Sequence, residues 1–347
     1  MFNKKIKIKN RIIGAGFPCV IVAEIGPNHN GSFDLALQMI ELVARSGCDA
    51  VKFQYRNADK EIFDKDTSSY YYNESRYDFI KNVQEFTDEQ HYALRERAKS
   101  LGLIYICSLM TDSLLDKVIK LKPDFIKIPS GEANNPWLIE GAAKSKIPLV
   151  VSSGISTHTE VDKLINNIKK FNVKDFILLH CLSEYPTLLK DINLSVISKF
   201  YNKYNCVVGL SDHSREIYAV ASSVLLGSAM IEVHFTLSRE MKGPDHKVSL
   251  EYEELKDLVK NVRMFELAKG SGKKNTGAHV DNMRNTFTNS IVARKKIKPG
   301  DILSKENIAL KKPGTGLGVE YIDKVIGSKA LVDIQKNNPI GLEGFSK

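Results

Sequence analysis

Apolar residues follow two alternating patterns along this chain. Short β-rich runs occur at Cys19 to Ala23, Ala50 to Phe53, Leu103 to Cys107, Phe125 to Ile128, Leu149 to Val151, Phe176 to Cys181, Val207 to Leu210 and Met230 to Phe235. Between them lie stretches with apolar positions three and four apart, the mark of helices buried along one face. One opens on Thr157-His158-Thr159-Glu160, a capping box, and continues with Val161, Leu164, Ile165, Ile168 and Phe171. The last carries Leu255, Leu258, Val259, Val262 and Phe265. Eight strand-helix units in roughly 270 residues predict an α/β fold of the (β/α)8 TIM-barrel type, with its site at the C-terminal mouth. An open doubly wound sheet is the competing arrangement, because periodicity does not show closure. Neither GxGxxG nor GxxxxGK[ST] occurs, which argues against a nucleotide-binding open sheet.

The strand ends carry the chemistry. Lys127-Ile128-Pro129-Ser130-Gly131-Glu132 places a cation, a hydroxyl and a carboxylate where a buried run leaves the core. Alternate strand residues share a face, so Lys52 with Gln54, Ser211 with His213, and Glu232 with His234 point inward as pairs. Glu24 closes the first strand, Ser152-Ser153-Gly154 the fifth, and Glu184-Tyr185-Pro186 follows the sixth. His213 and His234, on adjacent strands, could bind one divalent metal and leave positions open for substrate oxygens. His180 lies inside a strand and reads as a hydrogen-bonded core histidine; His29 fits either a turn or a substrate contact. Lys52 and Lys127 suit phosphate binding or Schiff-base chemistry equally. The connection from Arg56 to about Thr87 is long, and its Ser68-Ser69-Tyr70-Tyr71-Tyr72-Asn73-Glu74 fits a lid or a plain excursion with a short helix near Asp78 to Val83.

Composition narrows the class. At 347 residues the chain holds a large domain and a small one. The net charge of +9 comes from scattered lysines without an aromatic-interleaved stripe. It therefore suits an anionic small substrate or a solvated surface better than nucleic acid. No window approaches the ~18 apolar residues of a membrane span, and Met1 to Asn10 lacks a signal-like apolar core, so a cytoplasmic protein is expected. Five cysteines without CxxC spacing read as reduced core residues.

Together, Ala23-Glu24-Ile25-Gly26-Pro27-Asn28-His29-Asn30-Gly31, Val51-Lys52-Phe53-Gln54, the Lys127 to Glu132 string, Leu179-His180-Cys181 with Tyr185-Pro186-Thr187, Gly209-Leu210-Ser211-Asp212-His213-Ser214, Glu232-Val233-His234-Phe235-Thr236 and Gly243-Pro244-Asp245-His246-Lys247 resemble the sialic acid synthase family. The resemblance implies a barrel over 1–270, a linker over 271–285 and an antifreeze-like (SAF) domain over 286–347. Ser290-Ile291-Val292-Ala293, Ile297-Lys298-Pro299-Gly300-Asp301 and Lys312-Pro313-Gly314-Thr315-Gly316 resemble that small module. It also implies a homodimer in which each small domain caps its partner's barrel. The implied reaction joins phosphoenolpyruvate to an open-chain N-acetylated hexosamine, giving a nine-carbon 2-keto sugar acid and phosphate.

By the same resemblance, Lys127, Ser130, Ser152, Ser183 and Ser211 hold phosphoenolpyruvate with Lys52. His213 and His234 carry a divalent metal, with Mn2+ favoured over Mg2+ or Co2+. Gln54, Tyr185, Asp245 and Lys312 grip the sugar, and Glu132 with Glu24 activates water, with Lys52 beside them. Three positions depart from the family pattern. Lys312 replaces an Arg that reaches the N-acetyl group, Ser183 replaces an Asn, and Ser108-Leu109-Met110-Thr111 replaces a Thr-Pro-Phe turn. A lysine is a point charge where a planar fork makes two hydrogen bonds. The changes fall on the sugar side, so the acceptor is less defined than the donor. Gly243-Pro244-Asp245-His246-Lys247 favours a neuraminate- or legionaminate-type acceptor over the pseudaminate type. The remaining alternatives are a Schiff-base aldolase and a sugar-binding protein with a retired barrel.

Overall fold

The computed structural model describes residues 2–68, 75–274 and 277–346. Two strands, β1 (Lys5–Ile8) and β2 (Arg11–Gly14), form an antiparallel hairpin at the start of the chain. Eight parallel strands follow: β3 (Val20–Glu24), β4 (Ala50–Tyr55), β5 (Ile104–Leu109), β6 (Phe125–Ile128), β7 (Leu149–Ser152), β8 (Phe176–Cys181), β9 (Val207–Asp212) and β10 (Met230–His234). Their order β10-β3-β4-β5-β6-β7-β8-β9 closes into a barrel, which removes the open-sheet alternative. All eight expected segments are strands: Phe125–Ile128 and Phe176–Cys181 keep the expected bounds, and the other six have an end shifted by one or two residues.

Alternation along each strand divides the core in two. Outward residues such as Ile21, Val51, Phe53, Tyr105, Val151, Leu178 and Val233 pack under the helices. Inward residues Val20, Val22, Ala50, Ile104, Ile106, Phe125, Val150, Ile177, Leu179, Val207 and Met230 fill the lower barrel. Ile6, Ile8 and Ile13 of the hairpin join that inner cluster, so the hairpin caps its N-terminal end. Each such buried isoleucine contributes about 1.5–3 kcal/mol. The capping box forms: Thr157 Oγ1 accepts from the Glu160 amide at 3.3 Å, and Glu160 Oε2 accepts from the Thr157 amide at 2.7 Å. The helix His158–Lys170 that it starts buries Val161, Leu164, Ile165 and Ile168.

The long connection after β4 contains a helix at Ala58–Glu61 and a continuous helical segment made of Arg76–Phe79 and the π-helical Ile80–Gln84. The expected short helix near Asp78 to Val83 is therefore present. Residues 69–74 of the candidate lid lie outside the described residues.

The chain divides into two compact units, Met1–Gly270 and Ser271–Lys347. The second has a helix at Ala278–Phe287 and an antiparallel pair, β11 (Ser290–Ala293) and β12 (Ile308–Lys311). The helix occupies much of the stretch read as a linker, 271–285, and continues into the small module. Its Gly/Lys-rich approach suggests open chain, whereas the helical residues belong compactly to the second unit. A core of ten buried residues, among them Ile291, Ile297, Leu303, Val325 and Ile340, holds that unit together. Among the described residues no helix is long and apolar enough to cross a membrane.

Candidate active site

Inside the barrel the inward positions change from apolar to polar at a common level. Register places His234 beside Glu24, Glu24 beside Lys52, Ser108 beside Lys127, Cys181 beside Ser211 and Ser211 beside Glu232. Above this ring opens a cleft of about 330 Å³, whose lining includes Gln54, Arg56, Arg76, Ser130, Glu132, Ser152, Ser183, Tyr185, His213 and Asp245.

Two ammonium groups and two carboxylates form the floor. Lys52 Nζ donates to Glu232 Oε1 at 2.7 Å and stands 3.5 Å from Glu24 Oε2. Lys127 Nζ is 3.9 Å from the same Glu232 oxygen, which also accepts from Ser211 Oγ at 3.2 Å. Gln54 Nε2 donates to Glu24 Oε1 at 2.7 Å. All four charged groups are buried, and unpaired they would be prohibitively costly. Burial disfavours the charged form of Lys52, but Glu232 and Glu24 outweigh it and hold that ammonium above its ordinary value. For Lys127 burial prevails and brings it down to about 8, against a smaller opposing pull from Glu232. Burial also raises Glu24, with Lys52 working against it, whereas Lys127 and Lys52 overcome burial and keep Glu232 low.

On the β7 side, Ser130 Oγ accepts from the Gly154 amide at 2.8 Å. A Cβ at Gly154 would lie 2.4 Å from Ser183 Oγ and 2.7 Å from Ser130 Oγ. These serines therefore surround a space kept open by a missing side chain.

On the β9 and β10 side stand two imidazoles with ring centroids 5.3 Å apart. Nδ1 of His213 is 2.7 Å from the Leu182 carbonyl, which assigns the proton to that nitrogen and leaves Nε2 as a lone pair. Burial keeps both rings neutral, His213 at about 4 and His234 well below its usual value. The His234 Nδ1 contact with Asp245 Oδ2 at 3.3 Å is therefore no ion pair, and that buried nitrogen lacks a hydrogen-bond partner among the described residues. Two neutral imidazoles, one with its tautomer fixed and one with an idle nitrogen, fit a divalent metal with open positions. Among the described residues no cluster of three His, Cys, Asp or Glu side chains supplies a fuller ligand set. The Tyr185 ring stacks on His213 at 4.1 Å, and burial raises Asp245 to about 7.

Lys52, Lys127, Ser130, Ser152, Ser183, Ser211, Glu24, Glu132, Gln54, Tyr185, Asp245, His213 and His234 all line this one cleft. Glu132 Oε2 accepts from Asn135 Nδ2 at 2.8 Å. Lys312 belongs to the second unit, where its Nζ lies 5.6 Å over the Phe287 ring. His29 is buried and stacked on Phe86 at 4.3 Å, outside the cleft lining, so it is a packing residue. His180 Nε2 donates to the Ile192 carbonyl at 2.8 Å, as a core histidine does. All five cysteines are buried and free. Sequence reasoning omitted Glu232 from the site, although its alternation with His234 already pointed it inward. Arg56, bound by Glu61 at 2.7 Å, and Arg76 were likewise missed because loop residues carry no period.

Comparison with known proteins agrees with this geometry. The NeuB family profile matches residues 39–274 and the SAF domain profile residues 288–345. The chain is 34% identical over 344 residues to the N,N'-diacetyllegionaminic acid synthase of Legionella pneumophila, covering 96% of each. It is 34% identical over 320 residues to a pseudaminic acid synthase of Campylobacter jejuni, covering 91% of this chain and 93% of the other. The crystal structure of N-acetylneuraminic acid (sialic acid) synthetase from Leptospira borgpetersenii in complex with citrate superposes with a TM-score of 0.74 at 30% identity, over 80% of this chain and 94% of that one. The chain belongs to the NeuB family of sialic acid synthases, enzymes that form a carbon-carbon bond, and carries its barrel followed by a SAF domain.

Proposed function

We propose that the protein condenses phosphoenolpyruvate with an open-chain N-acetylated hexosamine, N-acetylmannosamine or a diacetamido analogue, to a nine-carbon 2-keto sugar acid. The observation that carries this reading is the juxtaposition of a buried lysine pair with two neutral imidazoles across one cleft. Lys127, Ser130, Ser152, Ser183 and Ser211, with Lys52 nearby, seat the phosphate and carboxylate of the enol ester. Gln54, Tyr185 and Asp245 orient the sugar, and Lys312, brought by the small domain of a second protomer, reaches its acylamino end. A divalent ion held by His213 and His234, Mn2+ before Mg2+ or Co2+, would polarise the aldehyde oxygen and stabilise the alkoxide that forms there. The enol carbon bonds to the aldehyde carbon, leaving a cationic carbon at the phosphate-bearing centre. Glu132, with Glu24, takes a proton from the water that adds to that carbon, and the C–O bond to phosphate then breaks.

Exposed Phe63, Ile155 and Leu188 stand on loops after the strands, Leu189 opens a 3-10 turn there, and exposed Trp137 and Tyr218 lie in the first turns of the helices that follow β6 and β9, while Phe287 and Leu310 are exposed on the small unit. These apolar residues support a homodimer in which one protomer's small domain covers its partner's mouth. Phosphate release is measured with phosphoenolpyruvate, Mn2+ and a panel of N-acetylmannosamine, its 6-phosphate and diacetamido-trideoxy hexoses. Turnover with one acceptor is expected, and silence with all of them defeats the reading. The pseudaminate-type acceptor is distinguished in the same panel. One observation favours a second chemistry: a lysine lowered to about 8, as Lys127 is, suits a Schiff base. Borohydride with pyruvate would trap that adduct; an unmodified protein removes the aldolase.

A further inference from the structure

We infer that Glu232 is a positioning residue: its carboxylate clasps Lys52 and Lys127 together, and an entering substrate anion draws Lys127 out of that clasp while Lys52 stays paired. The inference rests on the phosphoenolpyruvate reading of the cleft. Glu232 comes from β10 and is 4% exposed, so it is no solvated counter-ion. Among the described residues one of its oxygens faces all three donors, Lys52 at 2.7 Å, Ser211 at 3.2 Å and Lys127 at 3.9 Å, while the buried Oε2 has no hydrogen-bond partner.

The two ammonium groups are served unequally. Lys52 has a short bond to Glu232 and a second carboxylate, Glu24, at 3.5 Å. Among the described residues Lys127 has only the long contact and its own strand's Ile128 carbonyl at 3.5 Å. An ammonium with three donors and such weak partners is the one an anion can recruit. The charged or titratable groups facing Lys127 are Glu232 from β10, Lys52 from β4, Cys181 from β8 and Glu24 from β3. His213 and His234 are neutral, and Ser108 and Ser152 on the flanking strands carry no charge. Glu232 is the strongest of these groups in keeping Lys127 protonated.

The full-length protein, E232Q and E232D are titrated calorimetrically with phosphoenolpyruvate from pH 6 to 9 without added metal. Loss of the carboxylate lowers the Lys127 titration by about one pH unit. E232Q then loses about fivefold in affinity at pH 8 and less than twofold at pH 6.5, and E232D returns the alkaline limb toward wild type. A purely structural role would weaken binding alike at every pH. Such a uniform loss, or an unmoved limb, overturns the clasp while leaving the enzyme reading intact. Wild-type protein that binds no phosphoenolpyruvate and releases no phosphate overturns the reading itself. Thermal unfolding of each variant is followed in parallel; if E232Q does not fold, E232D alone decides, with a limb below wild type expected and an unmoved limb overturning the clasp.

Discussion

Lys127, the proposed ligand of the substrate anion, works against the stability of its own protein. Its folded value of about 8 lies below the ordinary 10.5, so between those values the unfolded chain holds more protons. Through this group alone, stability rises as pH climbs from 8 to 10.5, and below 8 the full cost of burying the ammonium is present. That cost is about 3 kcal/mol, from the linkage of ~1.4 kcal/mol per pH unit. K127M is therefore expected to unfold later than wild type at pH 7 and to lose phosphoenolpyruvate binding, both measured in one melting series with and without ligand. An anion beside Lys127 raises its proton affinity, so binding at pH 8 takes up protons and binding at pH 6.5 does not. Titration in buffers of different ionisation enthalpy reads that uptake, and release at pH 8 would contradict it. At the opposite wall, the H213A/H234A double variant is expected to lose turnover while still binding phosphoenolpyruvate; wild-type rate would remove the metal from the reaction.

Single elements place these residues, and two differ in how plainly they were written. The capping box before His158–Lys170 was legible because its partners are three residues apart and an apolar face follows. T157A is expected to cost about 1 kcal/mol in thermal unfolding and leave turnover unchanged. The hairpin β1–β2 went unread, although Ile6 and Ile8 alternate with lysines, because four-residue strands rich in Lys resemble a basic tail. Their burial depends on a barrel bottom that no local pattern announces. The eight barrel strands were legible because each is buried on both faces and flanked by helical spacing. Glu232 was harder: a carboxylate inside an apolar run is decided by its cross-barrel neighbours Lys52 and Lys127, 180 and 105 residues away in sequence by subtraction of their numbers. The loop after β7 makes a further point, since G154A would push its methyl toward Ser183 and Ser130. A raised KM for phosphoenolpyruvate with an unchanged melting temperature is expected, measured by steady-state kinetics and a melt.

At the scale of the whole molecule, two compact units share one chain, and the proposed dimer assigns each barrel a small domain from its partner. Mixing two inactive variants tests this directly. E132A is expected to disable a barrel and K312A a small domain; after exchange of subunits, one site in a domain-swapped mixed dimer contains neither change. Random pairing restores about a quarter of the sites if the domains act across the dimer, and none if each acts within its own chain. Recovered phosphate release over time is the readout.

The isoleucines of the β1–β2 hairpin turn the barrel into a vessel with a single neck. The proposed function seats the enol ester on the floor and the sugar above it, an arrangement that requires the donor to enter first and the acceptor then to stopper it in. The same proposal fixes traffic in the other direction: the long sugar acid is expected to leave before inorganic phosphate, and added phosphate to compete with the next donor for the empty floor.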